Sequence, residues 1–221
     1  MKAMILAAGE GRRLLPLTQH TPKPLLPLGH TTLIGHHLQR LAAAGFREVV
    51  INLAHLGAQI QQALGDGSGF GLHITYSPEP YPLETAGGIA RALPLLGDAP
   101  FVLINGDVLT DYPLDLLRRP LQGLGHLILA PNPPEHPLGD FAMDSQGRLF
   151  PRGLLPGFTF SGISLLHPQL IASYPQRREK FALREVLDWG MEECQLSAEL
   201  YTGRWLDVGT PERLAQAQTW F

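Results

Sequence analysis

The sequence predicts an α/β fold in which a mixed, mostly parallel sheet is flanked by helices. Three observations carry that prediction. Up to about residue 110, short apolar or β-branched runs alternate with stretches of helical spacing, as in parallel strands joined by crossover helices. The 24 Gly and 20 Pro cluster between these runs without a repeat period, so they read as loops and not as a collagen-like chain. Apolar residues make up 44% of the chain and charged residues only 17%, which allows a sizeable core and excludes a charge-rich disordered chain. A length of 221 residues fits a single domain, 1–221, with halves 1–110 and 111–221 sharing one sheet.

The elements follow in order. Lys2 to Ala7 is a buried first strand that stops at glycine. Residues 8–30 form a long irregular segment with Gly9, Gly11, Pro16, Pro22, Pro24, Pro27 and Gly29; a loop of that length inside a domain is usually functional. Thr31 or Thr32 caps a helix through Leu33, Leu38 and Leu41, which Gly45 ends. Arg47 to Leu53 is the second strand, His55 to Leu64 a short helix, and Leu72 to Tyr76 the third strand. Thr85 to Leu93 is a helix, and Phe101 to Ile104 a fourth strand ending in Asn105-Gly106-Asp107. Beyond residue 110 the alternation weakens. His126 to Ala130, Phe141 to Met143, Arg148 to Phe150 and Phe158 to Leu166 read as strands, the last three antiparallel, with the turn Asp144-Ser145-Gln146-Gly147 between two of them. Phe181 to Glu193 is a helix, Glu199 to Tyr201 an edge strand, and Pro211 to Trp220 a last helix with proline in its first turn.

Composition also bounds function. A net charge of −3 gives no global field for DNA or RNA, so an anionic ligand must be met by a few placed cations. One cysteine, Cys194, allows no internal disulfide, and the N-terminal apolar stretch is too short for a secretory signal. No run reaches the roughly 18 apolar residues of a membrane span. A cytoplasmic protein without membrane or nucleic-acid partners is expected.

Four motifs carry chemistry. After the first strand, Ala8-Gly9-Glu10-Gly11-Arg12-Arg13 is a Gly-rich turn whose amides can approach phosphate, with Arg13 as a planar donor. It is not a dinucleotide fingerprint, because Leu14 stands where a third glycine belongs and Asn52 where the second strand should end in an acid. Nor is it a Walker A loop. In Thr21-Pro22-Lys23-Pro24, prolines on both sides stiffen the backbone around Lys23, which suits a phosphate contact. Asp107 stands at the C-terminal end of a parallel strand, where ligands of open α/β sheets sit. A lone Asp there also serves as a turn cap. A second acid, Asp207, arrives one hundred residues later, and two carboxylates with phosphate and water ligands would suit Mg²⁺, a pairing that spacing alone does not give. In Glu84-Thr85-Ala86-Gly87-Gly88, small residues leave room for a flat ring, and Thr85 serves a ligand or caps the helix. The nine histidines show no zinc spacing, and Ser161 lacks a nucleophile elbow.

Taken together, Leu6-Ala7-Ala8-Gly9-x-Gly11-x-Arg13-Leu14-x-Pro16-Leu17-Thr18, Thr21-Pro22-Lys23-Pro24-Leu25-Leu26-Pro27, Glu84 to Gly88, Asn105-Gly106-Asp107 and Trp205-x-Asp207-x-Gly209-Thr210-Pro211 resemble the signature of the sugar-phosphate nucleotidylyltransferases from end to end. The resemblance implies a nucleotide-diphospho-sugar transferase (Rossmann-like) fold, here without a left-handed β-helix tail, with 1–110 as the nucleotide-binding half and 111–221 as the sugar-phosphate-binding half. It implies the reaction of an NTP with a sugar 1-phosphate to give an NDP-sugar and pyrophosphate. Asp107 and Asp207 would hold Mg²⁺, Arg13 the leaving phosphates and Lys23 the α-phosphate. Ala8, Gly9, Gly11, Arg12, Thr85 and Gly88 would complete the nucleotide site, and Asn105, Gly139 and Asp140 would contact the sugar.

Gly139-Asp140-Phe141 and Thr159 to Pro168 resemble compact members that use UTP and N-acetylmuramate α-1-phosphate in cell-wall recycling. Transfer of GMP to mannose 1-phosphate or of dTMP to glucose 1-phosphate is the alternative, and a silent nucleotide-sensing subunit is disfavoured because Arg13, Lys23, Asp107 and Asp207 are all present. One departure stands out: the family's Glu-Lys-Pro before the sugar-binding strand is replaced by Arg148-Leu149-Phe150-Pro151-Arg152, so Arg152 or Lys180 takes the lysine's place.

Overall fold

A computed structural model describes residues 1–153 and 157–221. In chain order the elements are β1 (Ala3–Leu6), β2 (Pro27–Leu28), β3 (Thr31–Thr32), α1 (Leu33–Ala43), β4 (Glu48–Leu53), α2 (Gly57–Leu64), β5 (His73–Pro78), α3 (Glu84–Leu96), β6 (Phe101–Asn105) and β7 (Val108–Thr110). There follow β8 (Gly125–Ala130), β9 (Phe141–Met143), β10 (Leu149–Pro151), β11 (Gly157–Leu166), α4 (Pro168–Ala172), α5 (Leu183–Glu192), β12 (Leu196–Leu200), β13 (Trp205–Asp207) and α6 (Pro211–Gln218).

Nine strands form one sheet. Strands β5, β4, β1 and β6 lie parallel, with Ile5 opposite Ile51 on one side and Ile104 on the other. At β11 the sheet turns antiparallel: Ile163 to Leu166 pair with β6 and also with β8, while Gly157 and Phe158 pair with β9. The register of β11 against β8 shifts between Phe160 and Ile163, and Gly162 there has a φ of 80°. That bulge lets one ten-residue strand serve two neighbours at its ends.

The central strands are apolar on both faces because helices cover both. One face of β1, β4 and β6 packs on Ile34, Leu38 and Leu41 of α1 and Ile60 of α2. The other packs on Ile89 of α3, Leu170 of α4 and Val186 and Leu187 of α5. A third, smaller cluster gathers Leu14, Leu28, Leu33, Leu109, Leu206 and Val208 under Ala217 of α6. Truncating a fully buried core residue such as Leu103 to alanine is expected to cost roughly 2–5 kcal/mol.

Local chemistry accounts for the element ends. Thr32 is the cap of α1, its hydroxyl accepting from the Gly35 amide at 3.1 Å, and Thr210 caps α6 the same way from Arg213. The helix beginning near Thr85 is not capped by it: the first amides of α3, those of Ala86 and Gly87, donate to the Phe181 carbonyl, and the Thr85 hydroxyl accepts from Leu183 at 2.7 Å. Strand β12 begins at Leu196, earlier than the sequence pattern suggests, because Leu196 and Ala198 alternate inward against β8. The segment 8–30 is ordered by 3-10 turns at Arg12–Leu14 and Lys23–Leu25 and by the β2–β3 pair. Strands β7 and β13, three residues each, are too short to show a period.

Candidate active site

The C-terminal ends of β1, β4, β5 and β6 open onto a cavity of about 380 Å³. Ala7 to Gly9, Asn52, Glu79 and Asn105 to Asp107 form its floor, and Arg12, Arg13, Lys23, Thr85 and Gly209 its sides. Gly106 is there because nothing larger fits: a β-carbon would lie 2.5 Å from the Leu6 carbonyl, which already accepts from the Gly106 amide. The close approach of β6 to β1 sends Asp107 out over the cavity.

Asp107 and Asp207, one hundred residues apart in sequence, meet across a short antiparallel ladder. Strand β7 pairs with β13 so that Val108 faces Asp207, and the Val208 amide donates to the Asp107 carbonyl at 2.8 Å. Lys23 Nζ donates to Asp107 Oδ2 at 2.7 Å. Asp207 Oδ2 accepts from Arg213 at 2.8 Å, whereas its Oδ1 is buried and has no partner among the described residues. Burial, and next the charge of Asp107, push the Asp207 carboxyl above the usual carboxylate range, with Lys23 and Arg13 pulling it back. The two carboxylates thus sit among Lys23, Arg13 and Arg213, with one oxygen, Asp207 Oδ1, unmatched among the described residues.

The donor set fits Mg²⁺: hard oxygens, one of them an orphaned Oδ1, beside a cavity able to supply phosphate and water ligands. The described residues hold no group of three or more His, Cys, Asp or Glu that could form a metal cage, so the pair can supply only part of a coordination shell.

The cationic residues differ in setting. Lys23 is mostly buried, its segment held by Pro22 and Pro24 as the sequence suggests. The Arg13 guanidinium lies against Gly209, where a β-carbon would fall 2.8–3.0 Å from its atoms; the Gly209-Thr210 turn thus seats Arg13 beside the acids. Arg12 is exposed and paired with Glu10.

Of the nucleotide-side residues expected from sequence, Ala8, Gly9, Gly11, Arg12, Arg13, Lys23 and Thr85 line the cavity. Gly88 does not. It sits one turn deeper, where a β-carbon would meet Glu79 Oε1 at 2.6 Å and Asn52 Nδ2 at 2.8 Å. On the sugar side, Asn105 lines the cavity, and its Oδ1 is buried with no partner among the described residues. Gly139, Asp140, Arg152 and Lys180 lie outside its lining. Asp140 accepts from the Phe160 amide at 2.8 Å and meets His136 at 3.1 Å, so it ties the loop before β9 to β11. Lys180 precedes Phe181, whose amide and carbonyl are bonded to Leu83, Ala86 and Gly87 at the cavity wall. Arg152 sits at the end of β10, its stem 3.7 Å from where a Gly157 β-carbon would be.

Sequence reading missed a buried relay and a clamp. Asn52 Oδ1 accepts from the Ala7 amide at 2.8 Å, its Nδ2 donates to Glu79 Oε1 at 2.7 Å, and Glu79 Oε2 accepts from the Leu83 amide at 2.9 Å. This chain locks three cavity walls together. Its one signal was a polar Asn52 closing an apolar strand. The clamp is Arg213, signalled only by a cation in the first turn of a helix, where the dipole disfavours it.

Fold and site together define a nucleotide-handling transferase, and the chain belongs to the nucleotidyl transferase family, whose profile matches residues 2–123. A relative named N-acetylmuramate alpha-1-phosphate uridylyltransferase, from Neisseria meningitidis serogroup B, is 50% identical over 226 residues, spanning 99% of this chain and 97% of that protein. A mannose-1-phosphate guanylyltransferase from Mycobacterium tuberculosis is 31% identical, and this chain spans 61% of its length. A candidate glucose-1-phosphate thymidylyltransferase from Bacillus anthracis, solved in complex with a sucrose, superposes with a TM-score of 0.86 at 23% identity, covering 100% of this chain and 94% of that one. The fold is therefore that of the nucleotide-diphospho-sugar transferases, as the family resemblance implies.

Proposed function

We propose that the protein transfers a uridylyl group from UTP to N-acetylmuramate α-1-phosphate, releasing pyrophosphate, as a Mg²⁺-dependent cytoplasmic enzyme that reuses cell-wall sugar. The observation that carries the chemistry is the convergence of Asp107, Lys23 and Arg13 in the lining of one cavity, with Asp207 brought beside them by the β7–β13 ladder. Half-identity to the Neisseria relative over nearly its whole length supports the substrate pair.

The nucleophile, a phosphate oxygen of the sugar phosphate, is already anionic, so no general base is needed. Its oxygen bonds to the α-phosphorus as the bond to pyrophosphate breaks, and the protein's work is in-line positioning and charge neutralisation. Held by Asp107 and Asp207, Mg²⁺ would supply neutralisation of phosphate charge. Lys23 meets the α-phosphate; its ammonium has two donors left after Asp107 takes one. Arg13 meets the β- and γ-phosphates, where charge grows as they leave. The amides of Ala8 and Gly9, with Thr85, hold the base and ribose, while Gly88 acts from behind by keeping Glu79 and Asn52 in place. Asn105, in the cavity lining, is the sugar-side contact, and the loop of Gly139 and Asp140 borders the sugar. Of the two cations offered to the sugar phosphate, Lys180 is the better placed, because its neighbour Phe181 is bonded into the cavity wall and Arg152 is not.

The deciding experiment is a pyrophosphate-release assay over four NTPs and the 1-phosphates of N-acetylmuramate, N-acetylglucosamine, glucose and mannose, with and without chelator. UTP with the muramate should give the highest kcat/KM. If GTP with mannose 1-phosphate wins by about tenfold or more, a difference of about 1.4 kcal/mol in transition-state binding, the guanylyltransferase alternative replaces this reading.

A further inference from the structure

Arg213 is held in an unfavourable place by two acids. It lies in the first turn of α6, its Nη1 donates to Asp207 Oδ2 at 2.8 Å, and its Nη2 is paired with Glu135 in the loop between β8 and β9. The guanidinium side chain is one-fifth exposed, while Glu135 reaches it from a half-exposed position. The consequence is an asymmetric carboxylate: Oδ2 is occupied, and Oδ1 is buried without a partner among the described residues.

We propose that Arg213 is a positioning residue that commits Asp207 to offering a single oxygen, Oδ1, to the divalent cation, and that Glu135 cancels the charge Arg213 would otherwise bring to the site. The inference rests on Asp107 and Asp207 being the cation's ligands. A carboxylate with both oxygens free can rotate and bind a cation through either or both. Fixing Oδ2 removes that freedom and sets the cation's position relative to Asp107 and the phosphates. A bare guanidinium could do the fixing, but its charge would repel the cation a few ångströms away. Paired with Glu135, it is close to neutral and orients Asp207 without weakening the site.

Two substitutions should therefore move cation affinity in opposite directions, which a role in packing alone would not. Glu135→Gln leaves the guanidinium uncompensated and should weaken Mn²⁺ binding by roughly 3- to 10-fold. Arg213→Ala leaves Asp207 and Glu135 both uncompensated and should tighten Mn²⁺ binding by a similar factor, while kcat falls about tenfold or more because the bound cation is no longer fixed. Arg213→Lys, which keeps the charge and one donor, should recover part of the kcat.

The test is direct Mn²⁺ binding to the full chain, read from the electron paramagnetic resonance of the free ion, with MnCl₂ alone as probe and thermal melts checking the fold. Opposite shifts in the two variants support the proposal; shifts of the same sign, or none in either, overturn it. If Arg213→Ala does not fold, Glu135→Gln decides alone, and unchanged affinity there overturns the proposal. Asp207→Asn separates the two levels. It should abolish binding, and if it binds Mn²⁺ as the wild type does, the ligand assignment itself is wrong whatever the other variants show.

Discussion

In residues 1–110, strands β1, β4, β5 and β6 run parallel and end at one rim, and within a residue or two of each end comes a group that lines the cavity: the amides after Leu6, Asn52, Glu79, and Asn105 to Asp107. In residues 111–221 the strands run in both directions, so their ends do not gather at one rim. That half reaches the cavity lining through Gly209, and it brings Asp207 alongside through the β7–β13 ladder. The difference teaches where chemistry accumulates. A parallel sheet delivers every loop to the same edge, whereas an antiparallel extension contributes single residues that must be carried to the site by a tail.

The comparison can be broken most sharply at the two acids, one from each half. Asp107→Asn and Asp207→Asn should each lower kcat by roughly 10³-fold or more, with the fold intact by circular dichroism, and chelator should do the same to the wild type. If either variant retains full activity, the halves do not meet in a shared cation site.

Next in size is Arg13, a first-half residue seated by a second-half turn. Arg13→Ala should lower kcat by about 10²–10³-fold while weakening NTP binding far less, because the charge it meets grows during the reaction. A rise in KM with kcat unchanged, measured by steady-state kinetics, would make it a ground-state binder.

Within the second half, Lys180→Ala should raise the KM for sugar phosphate by about tenfold, and Arg152→Ala by no more than about twofold. The reverse order would mean that the end of β10 closes over the sugar when substrate binds.

The smallest effect concerns α1 behind the Asp107 turn. Burial lowers His37 to about 3 and His36 to about 4, the neighbouring cations adding to this, with Asp107 and the Gly106 carbonyl opposing it weakly for His37. Both stay neutral in the fold but take up a proton in the unfolded chain below about pH 6.5. Stability is therefore fully present above that value and is lost as pH falls toward 4, with a slope of up to about 1.4 kcal/mol per pH unit for each histidine. Thermal melts between about pH 4 and 7 should show a flatter dependence for His37→Gln than for the wild type. Equal slopes would mean that His37 is protonated in the fold.

Much of this was legible in the sequence where the signal is local. The apolar runs around Ile5, Val50 and Ile104, the Thr32 cap, the proline-braced Lys23 and the acid after Gly106 each depend on residues within a few positions, so periodicity and turn chemistry reveal them. What only the tertiary structure decided are the meetings across long sequence distances. The β7–β13 ladder that joins Asp107 to Asp207 is three residues per strand, too short to leave a pattern. The Asn52–Glu79 relay and the Glu135–Arg213–Asp207 clamp consist of single polar side chains whose partners lie elsewhere in the chain. Gly88 and Asp140, read as ligand contacts, lie outside the cavity lining, Gly88 packed against Glu79 and Asn52 and Asp140 bonded to the Phe160 amide. The physical reason is common to all of these. A polar group declares its role by the partner that satisfies it once it is buried, and that partner is chosen by the folding of the sheet and not by its neighbours in sequence.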